Sequence, residues 1–292
     1  MEETKIALLG IGVMGVGMGG RLLEAGYPLT VYNRTPEKAQ PLVDRGATWA
    51  KTPAEAVAGA NIIFSMLADD AASRKVWLKE NGALAAAEPN AILVESSTVT
   101  VSWIEELGGA ARKRGLTLID APVTGSKPQA AAGQLFFLAG GPEEAIAKIA
   151  PVLKPMSRGM VYLGPSGSGA RMKLINNFVC AVQASALAEA VGLIERSGLD
   201  SAKAISVLTE GAPGSPLVKG LSSRMEARNY EPQFAARLMA KDLRYALIEA
   251  RHLGQKLATA STALGIYEAS IAAGRGEEDI SVIVEQFRPE KS

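Results

Sequence analysis

Short apolar runs alternate with helix-like patterns along the first half of the chain. Apolar runs separated by about 10–15 residues of helical spacing are typical of βαβ units on a parallel sheet. Within the runs, apolar and polar residues hardly alternate, which indicates strands that are buried on both faces. The predicted strands are Lys5–Leu9, Leu29–Tyr32, Ile62–Leu67, Ala91–Glu95, Thr117–Ile119, Leu135–Leu138 and Met160–Leu163, and the helices between them include Pro36–Arg45, Asp70–Leu78, Val101–Arg114 and Pro142–Leu153.

The pattern changes at a glycine-rich segment, residues 164–169, which marks a domain boundary. Directly after it, apolar residues recur at steps of three and four from Met172 to Leu193. This spacing predicts one long helix of about 28 residues, or roughly 42 Å. We therefore predict an α/β domain with a parallel sheet over residues 1–163, and a long connecting helix with an all-α domain over residues 164–292. The helices predicted in the all-α domain are Ala202–Leu208, Leu217–Arg228, Phe234–His252 and Ala258–Ala273.

The composition is typical of a globular protein with a large core. Of the 292 residues, 48% are hydrophobic and 21% are charged, which excludes a disordered or fibrous chain. The net charge of +1 indicates no electrostatic attraction to nucleic acid or to an anionic membrane. Cys180 is the single cysteine, so no intrachain disulfide can form. Because the N-terminus does not resemble a signal peptide and no apolar segment reaches the roughly 18 residues of a membrane span, we expect a cytoplasmic protein.

The segment Gly10-Ile11-Gly12-Val13-Met14-Gly15 has the spacing G-x-G-x-x-G between a predicted strand and a predicted helix. The first glycine permits a tight turn, the second lets the backbone approach a pyrophosphate, and the third lets the helix pack on the strand. The helix N-terminus adds N–H groups and the positive end of its dipole. An ordinary strand-to-helix turn is the alternative, but the βαβ context favours dinucleotide binding by these six residues.

The end of the second predicted strand indicates which dinucleotide binds. NAD sites carry Asp or Glu there, about 20 residues after the glycines, to hold the ribose 2′-hydroxyl. This chain has Asn33-Arg34-Thr35 instead, and a guanidinium with short polar donors suits a 2′-phosphate. We therefore predict that Asn33, Arg34 and Thr35 bind NADP. The alternative is that Arg34 is only a solvated loop residue.

Two further segments carry candidate substrate chemistry. Thr124-Gly125-Ser126 follows a predicted strand and suits a small carboxylate, although a plain loop explains its composition equally well. Lys173 and Asn177 share one face at the start of the long helix. The helix dipole mildly disfavours a cation near a helix start, so the presence of Lys173 there calls for a functional explanation. Lys173 and Asn177 could bind one substrate oxygen together, with the lysine as proton donor and the amide as the group that orients it. The alternative is an ordinary Lys–Asn pair on the protein surface. No metal-ligand spacing is visible.

Together these motifs resemble those of the β-hydroxyacid dehydrogenase family. The similarity rests on Gly10–Gly15 with Met14 and Met18, on Asp120–Gly125, on Gly169–Asn177 and on Lys241-Asp242-Leu243, in the family's order and over most of the chain. It implies a Rossmann domain, a long connecting helix and an all-α domain that pairs with a second subunit. A homodimer or homotetramer is therefore expected.

The resemblance also implies a role for each matching residue. Lys173 matches the catalytic lysine, and Asn177 matches the amide that helps to hold the substrate. Thr124 and Gly125 match the loop that binds the substrate carboxylate, and Ser126 follows them as a further candidate donor. The remaining matches are Thr98 near the nicotinamide, Leu67 and Ala68 beside the cofactor ribose, and Phe234, Lys241 and Asp242 closing the cleft from the α-domain, with Lys241 near the cofactor.

The expected reaction is hydride transfer from NADPH to a small aldehyde that bears a carboxylate, with Lys173 donating a proton to the developing alkoxide. Thr124 stands where serine is more usual in the family, and Ser126-Lys127-Pro128 stands where a second glycine often follows. The Gly125-Ser126-Lys127-Pro128 form and Asn33-Arg34-Thr35 look most similar to the glyoxylate/succinic semialdehyde reductase branch. The expected substrate is an aldehyde of the glyoxylate, succinic semialdehyde or tartronate semialdehyde type.

Three alternatives stay open. The first is an NAD(P)-dependent dehydrogenase of 3-hydroxyacids of the 3-hydroxyisobutyrate type. The second is an imine reductase of the same fold, against which Lys173 argues because imine reduction needs a different proton source. The third is a dinucleotide-binding sensor without turnover, against which the pairing of a lysine with an amide counts.

Overall fold

The computed structural model of the protein describes residues 4–289. Six strands form the main sheet of its N-terminal unit: β1 (Ile6–Leu9), β2 (Leu29–Tyr32), β3 (Thr48–Trp49), β4 (Ile62–Ser65), β5 (Ile92–Glu95) and β6 (Thr117–Asp120). They lie in the order β3-β2-β1-β4-β5-β6, and all neighbours are parallel. This is the order of a doubly wound dinucleotide-binding sheet, in which ligands bind beyond the carboxyl ends of the strands where the order reverses, here beside β1.

The helices of this unit occupy the connections between strands. They are α1 (Val13–Glu24), α2 (Gln40–Val43), α3 (Pro53–Val57), α4 (Asp70–Leu78), α5 (Ala83–Ala86), α6 (Val101–Arg112), α7 (Lys127–Ala131) and α8 (Glu143–Leu153), with 3₁₀ turns at Pro36–Ala39 and Lys154–Met156. The predicted helix Pro36–Arg45 is thus a 3₁₀ turn followed by one short α-helix. The structure confirms the α/β class of the unit.

The central strands of the main sheet, β1, β4 and β5, are buried on both faces. Ile6 and Leu8 of β1 belong to one buried apolar cluster, whereas Ala7 and Leu9 belong to another. Successive side chains of a strand point to opposite faces. Both faces therefore need apolar residues, which explains why the strands read as continuous apolar runs in the sequence.

A second, three-stranded sheet departs from the prediction of one parallel sheet. Its strands are β7 (Val123–Thr124), β8 (Leu135–Ala139) and β9 (Ser157–Tyr162). β8 pairs antiparallel with β7 and parallel with β9. The two last predicted strands therefore exist, but they belong to this mixed sheet. No strand was predicted at β7, because two residues are too few to show any periodicity.

The chain divides into two compact units, the first ending at Lys173 and the second beginning at Leu174. The boundary lies inside the long helix α9 (Ser168–Ser197), whose 30 residues extend over about 45 Å. The described part of the second unit is helical, apart from an isolated bridge between Ala235 and Asp279. Its helices are α10 (Ser201–Glu210), α11 (Pro216–Glu226), α12 (Ala236–His252) and α13 (Ala258–Ala272), followed by a 3₁₀ segment at Ile280–Gln286.

One apolar core fills the helical unit. It joins small residues of α9, such as Ala181, Ala184 and Ala188, to apolar residues of α11, α12 and α13. By length and mean hydropathy, 1.5 over 18 residues, α9 could cross a membrane, and the sequence analysis had not identified such a segment. Half of that window is buried within the protein, as in the core helix of a globular unit.

Candidate active site

The glycines of the turn between β1 and α1 differ in what surrounds them. Gly10 has φ +103°, and a Cβ there would lie 2.3 Å from the carbonyl oxygen of Met66. A Cβ on Gly15 would lie 2.1 Å from the carbonyl oxygen of Gly10, so α1 packs directly on the turn. Gly12 has an extended backbone that any residue adopts, and a Cβ on it would meet nothing within 4 Å. Packing inside the protein therefore does not require a glycine at position 12. A bound group that approaches the backbone there would require one, because a side chain would occupy its space.

The start of α1 fits the phosphates of a dinucleotide. The helix has no side-chain cap at Gly12 and no acidic residue in its first turn. Ile11 is buried, Met14 is half-buried and Val13 is exposed. The N–H groups of an uncapped helix start and the positive end of its dipole favour an anion. The residues from Gly10 to Gly15 therefore fit the pyrophosphate of the cofactor.

The side chains of Asn33 and Ser97 connect the loops at the carboxyl ends of the strands by hydrogen bonds. Asn33 Oδ1 accepts the N–H of Ile11 at 3.0 Å and its Nδ2 donates to the carbonyl of Thr35 at 2.8 Å, which joins the loops after β1 and β2. Ser97 Oγ accepts the N–H of Leu67 at 2.7 Å, which joins the loops after β4 and β5. The structure thus brings these predicted cofactor residues to one edge of the sheet. The same edge holds the other cofactor residues predicted in this unit: Arg34, Ala68 and Thr98.

Arg34 differs from its neighbour Asn33 in what it contacts. The Asn33 amide is engaged in loop contacts on both of its atoms. Arg34 is exposed, and within residues 4–289 its guanidinium makes neither a hydrogen bond nor an ion pair. The segment from Asn33 to Thr35 therefore offers a solvent-facing cation and no carboxylate at the end of β2.

The predicted carboxylate loop lies between β7 and α7. Thr124 is half-buried at the end of β7, and Gly125 is exposed with φ +107°. Ser126 donates both its N–H and its hydroxyl to Gln129 Oε1, at 2.9 and 2.8 Å. The two donors of Ser126 are therefore engaged within the loop. A carboxylate at this loop would meet Thr124 and Gly125 first.

Lys173 lies in the second turn of α9 and is only 9% exposed. The helix has no acidic residue in its first turn. Asp120, at the end of β6, supplies a carboxylate instead: it accepts the N–H of Gly167 at 2.7 Å and that of Ala170 at 2.9 Å. Burial raises the pKa of Asp120, and these N–H groups oppose the shift because they stabilise its charged form.

In the helical unit, Asn177 and Asp242 form a buried pair. Asn177 Nδ2 donates to Asp242 Oδ2 at 2.6 Å, and Asn177 Oδ1 accepts from Asn176 Nδ2 at 2.9 Å. Lys241 Nζ lies 3.0 Å from Asp242 Oδ1 and 5.1 Å from the ring centre of Tyr245. A carboxylate only accepts hydrogen bonds, so Asp242 fixes which end of the Asn177 amide faces it. Three predicted residues, Asn177, Lys241 and Asp242, thus lie together.

Phe234, the remaining predicted substrate residue, lies just before α12. Its ring is half-buried against the core of the helical unit. Asp279 Oδ2 accepts the N–H of Phe234 at 3.2 Å. Its position in the unit is therefore fixed by both backbone and packing contacts.

Four residues that form hydrogen bonds in the candidate site were not predicted from the sequence: Ser97, Asp120, Gln129 and Asn176. Ser97 stands beside the predicted Thr98, and Asn176 beside Asn177, so proximity was the only available signal. Gln129 follows Ser126 by three residues, which is the spacing of a capping box and could have identified it. Asp120 lies in a motif that was singled out, but its partners come 47 and 50 residues later.

The fold and the glycine turn together define a dinucleotide-binding protein of two units. Residues 5–164 match the profile described as the NAD binding domain of 6-phosphogluconate dehydrogenase. Residues 167–287 match the profile described as the NAD-binding of NADP-dependent 3-hydroxyisobutyrate dehydrogenase.

Relatives match this chain over nearly its whole length. An NAD-dependent L-serine dehydrogenase of Pseudomonas aeruginosa is 34% identical, over 98% of each chain. The chloroplastic glyoxylate/succinic semialdehyde reductase 2 of Arabidopsis thaliana is 34% identical, over 100% of this chain and 82% of its own. The solved 3-hydroxyisobutyrate dehydrogenase of Mycobacterium tuberculosis with L-serine has a TM-score of 0.89 at 32% identity, over 98% of this chain and all of its own.

The chain belongs to the β-hydroxyacid dehydrogenase family. It is an NAD(P)-dependent oxidoreductase that acts on hydroxyacids. This confirms the resemblance drawn from the motifs of the sequence.

Proposed function

We propose that the protein is an NADPH-dependent reductase of small aldehydes that bear a carboxylate, of the glyoxylate or semialdehyde type. The observation that carries the proposal is the buried lysine at the start of α9. Lysine is among the residues least often buried. Lys173 is an exception at 9% exposure, and buried titratable groups cluster at functional sites.

The reaction requires a proton as well as a hydride. The bound nicotinamide supplies the hydride. The Lys173 ammonium donates its proton to the oxygen of the aldehyde as negative charge develops there. Asn177, one helical turn further along α9, orients the same oxygen through its amide, whose direction Asp242 fixes. The Thr124–Ser126 loop holds the substrate carboxylate, with the Thr124 hydroxyl and the Gly125 N–H as its donors.

The cofactor preference follows from the end of β2. Arg34 offers a cation to a 2′-phosphate, and Asn33-Arg34-Thr35 lacks the carboxylate that would bind a 2′-hydroxyl and repel a phosphate. Similarity to a glyoxylate/succinic semialdehyde reductase supports the same direction of reaction.

A second candidate function is NAD-dependent oxidation of a 3-hydroxyacid. It is favoured by the 34% identity to a relative whose name is NAD-dependent L-serine dehydrogenase. The same lysine would then accept the hydroxyl proton as the hydride leaves. The two functions differ in cofactor and in direction, and an assay separates them.

The test is a matrix of kcat/KM values for the purified protein. NADPH and NADH are each paired with glyoxylate, succinic semialdehyde and tartronate semialdehyde, and NADP⁺ and NAD⁺ with 3-hydroxyisobutyrate and L-serine. Butyraldehyde serves as the control, since it has the four carbons of succinic semialdehyde without the carboxylate. We expect the highest value for NADPH with a carboxylate-bearing aldehyde. A highest value for NAD⁺ with a hydroxyacid would establish the second candidate, and no turnover with any pair would indicate a sensor.

A further inference from the structure

Asp120 caps a helix that begins 48 residues later in the chain. It is fully buried, and its two carboxylate oxygens accept the N–H groups of Gly167 and Ala170, which flank the first residues of α9. The first N–H groups of a helix have no partner within the helix. Helices usually satisfy them with a side chain of the residue just before the helix, whereas α9 takes its cap from the end of a strand of the main sheet.

The surrounding backbone is built closely around this carboxylate. Asp120 and Gly140 exchange two backbone hydrogen bonds, of 3.0 and 2.8 Å. A Cβ on Gly140 would lie 2.8 Å from Asp120 Oδ1, and a Cβ on Gly169 would lie 2.7 Å from the Asp120 carbonyl oxygen and 2.2 Å from that of Leu138. Both positions therefore require glycine. The contact joins β6, the residue after β8 and the start of α9.

Capping alone does not require a buried charge. Serine or asparagine caps a helix as well as aspartate does, and a buried carboxylate carries a desolvation cost that also raises the pKa of Asp120. What distinguishes Asp120 is its place. Thr124 follows it by four residues on one side, and on the other it holds Ala170, three residues before Lys173. All of these residues belong to the first unit.

We propose that Asp120 is a positioning residue, which holds the first turn of α9 so that the Lys173 ammonium meets the substrate oxygen at a fixed place relative to the Thr124–Ser126 loop. This inference rests on the proposed role of Lys173 as proton donor. A displacement of a catalytic group by about 1 Å can cost a factor of 10² in rate. In this role Asp120 touches neither the substrate nor the reacting atoms, and it acts only through Lys173.

The test is a double-mutant cycle on kcat between Asp120→Asn and Lys173→Met. Asparagine has the shape of aspartate, but its NH₂ group opposes one of the two backbone N–H donors. Methionine keeps the buried stem of Lys173 without its charge. In the native background, we expect Asp120→Asn to lower kcat by about 10-fold or more and to leave the dissociation constant of NADPH within threefold. In the Lys173→Met background, the same substitution should change kcat by less than twofold, because the group that it positions is gone.

Asp200→Ala is the matched control. Asp200 caps α10 by accepting the N–H of Lys203 at 3.0 Å, on the surface of the helical unit. Its replacement should lower the melting temperature and leave kcat unchanged, which separates loss of a cap from loss of position. If Asp120→Asn does not fold, Asp120→Ser keeps a short hydrogen-bond acceptor at this position and should show the same dependence on Lys173.

The outcomes are distinct. An Asp120→Asn enzyme with native kcat at a temperature where it is folded overturns the inference, and so does an equal loss in both backgrounds. A near-native kcat of Lys173→Met alone overturns the proposed role of Lys173, whatever Asp120 does.

Discussion

At the scale of single residues, the proposed preference for NADPH depends on Arg34. Arg34→Ala should raise the KM for NADPH about 10-fold or more, since hydrogen bonds to a charged group contribute about 1.5–3 kcal/mol. The KM for NADH should hardly change, because NADH has no 2′-phosphate. Steady-state kinetics with both cofactors measure this, and Arg251→Ala, on an exposed position at the end of α12, is the control. Equal kcat/KM for the two cofactors in the native enzyme would contradict the assignment.

Asp120 also gives stability a specific dependence on pH. Burial raises its pKa above the ordinary value of 3.8. The folded protein therefore keeps this proton at pH values where the unfolded chain has released it. The contribution of Asp120 to the free energy of unfolding is thus most favourable below pH 3.8 and falls as the pH rises through the folded-state pKa.

The comparison with Asp120→Asn isolates this effect, because asparagine does not titrate. As the pH rises above 3.8, the free energy of unfolding of the native protein should fall relative to that of the variant. Urea denaturation at a series of pH values measures the difference. A difference that stays constant with pH would contradict the raised pKa.

At the scale of elements, we expect two glycines of the turn between β1 and α1 to have different roles, one in cofactor binding and the other in folding. A Cβ on Gly12 meets open space, whereas a Cβ on Gly15 collides with the carbonyl of Gly10. Gly12→Ala should therefore keep a near-native melting temperature and weaken NADPH binding by at least about 10-fold, because the Cβ occupies the space of the pyrophosphate. Gly15→Ala should lower the melting temperature of the protein without cofactor. Native NADPH affinity in Gly12→Ala would show that no phosphate approaches this residue.

The elements also show what the sequence could predict. β1, β4 and β5 were predicted because burial on both faces makes each of them a nearly continuous apolar run, and β2 and β6 were predicted from their shorter apolar stretches. β3 and β7 were not, because two residues carry no periodicity. The distinction between the two sheets depends on which strands pair, and that information is spread over distant parts of the chain.

The residues of the candidate site also divide into those that could be predicted from local sequence and those that could not. The glycine turn and the end of β2 could be interpreted from local chemistry, since every residue involved lies within one βαβ unit. Lys241 and Asp242 came only from the family resemblance, because in the sequence they are part of an ordinary amphipathic helix. Their contact with Asn177 joins residues 65 positions apart, and the cap from Asp120 to α9 is of the same long-range kind.

At the scale of the whole molecule, α9 carries an apolar stripe on its surface. Ile175, Val179, Ala186 and Leu193 are exposed at steps of four, seven and seven residues, which places them on one face of the helix. The alanines Ala181, Ala184 and Ala188 are instead buried within their own unit. We propose that a second copy of this chain covers the stripe, since exposed apolar seams of this kind mark protein interfaces and most oligomers are symmetric.

The substitutions Ala186→Glu and Leu193→Glu together place two charges on this stripe. They should convert the protein from a dimer or tetramer to a monomer, as measured by light scattering at micromolar concentration. Leu253→Glu, at an exposed position outside α9, should leave the mass unchanged. A monomeric native protein at that concentration would refute the proposal.

In the proposed mechanism, Lys173 donates the proton. The measurement that tests it most directly is kcat of Lys173→Met at saturating aldehyde, taken beside the dissociation constant of NADPH for the same preparation. An interaction that forms mainly in the transition state affects turnover more than binding. We expect kcat to fall by about 10²-fold or more and NADPH affinity to stay near its native value. A near-native kcat would remove Lys173 from the mechanism, and a loss of NADPH binding would assign it to the cofactor site.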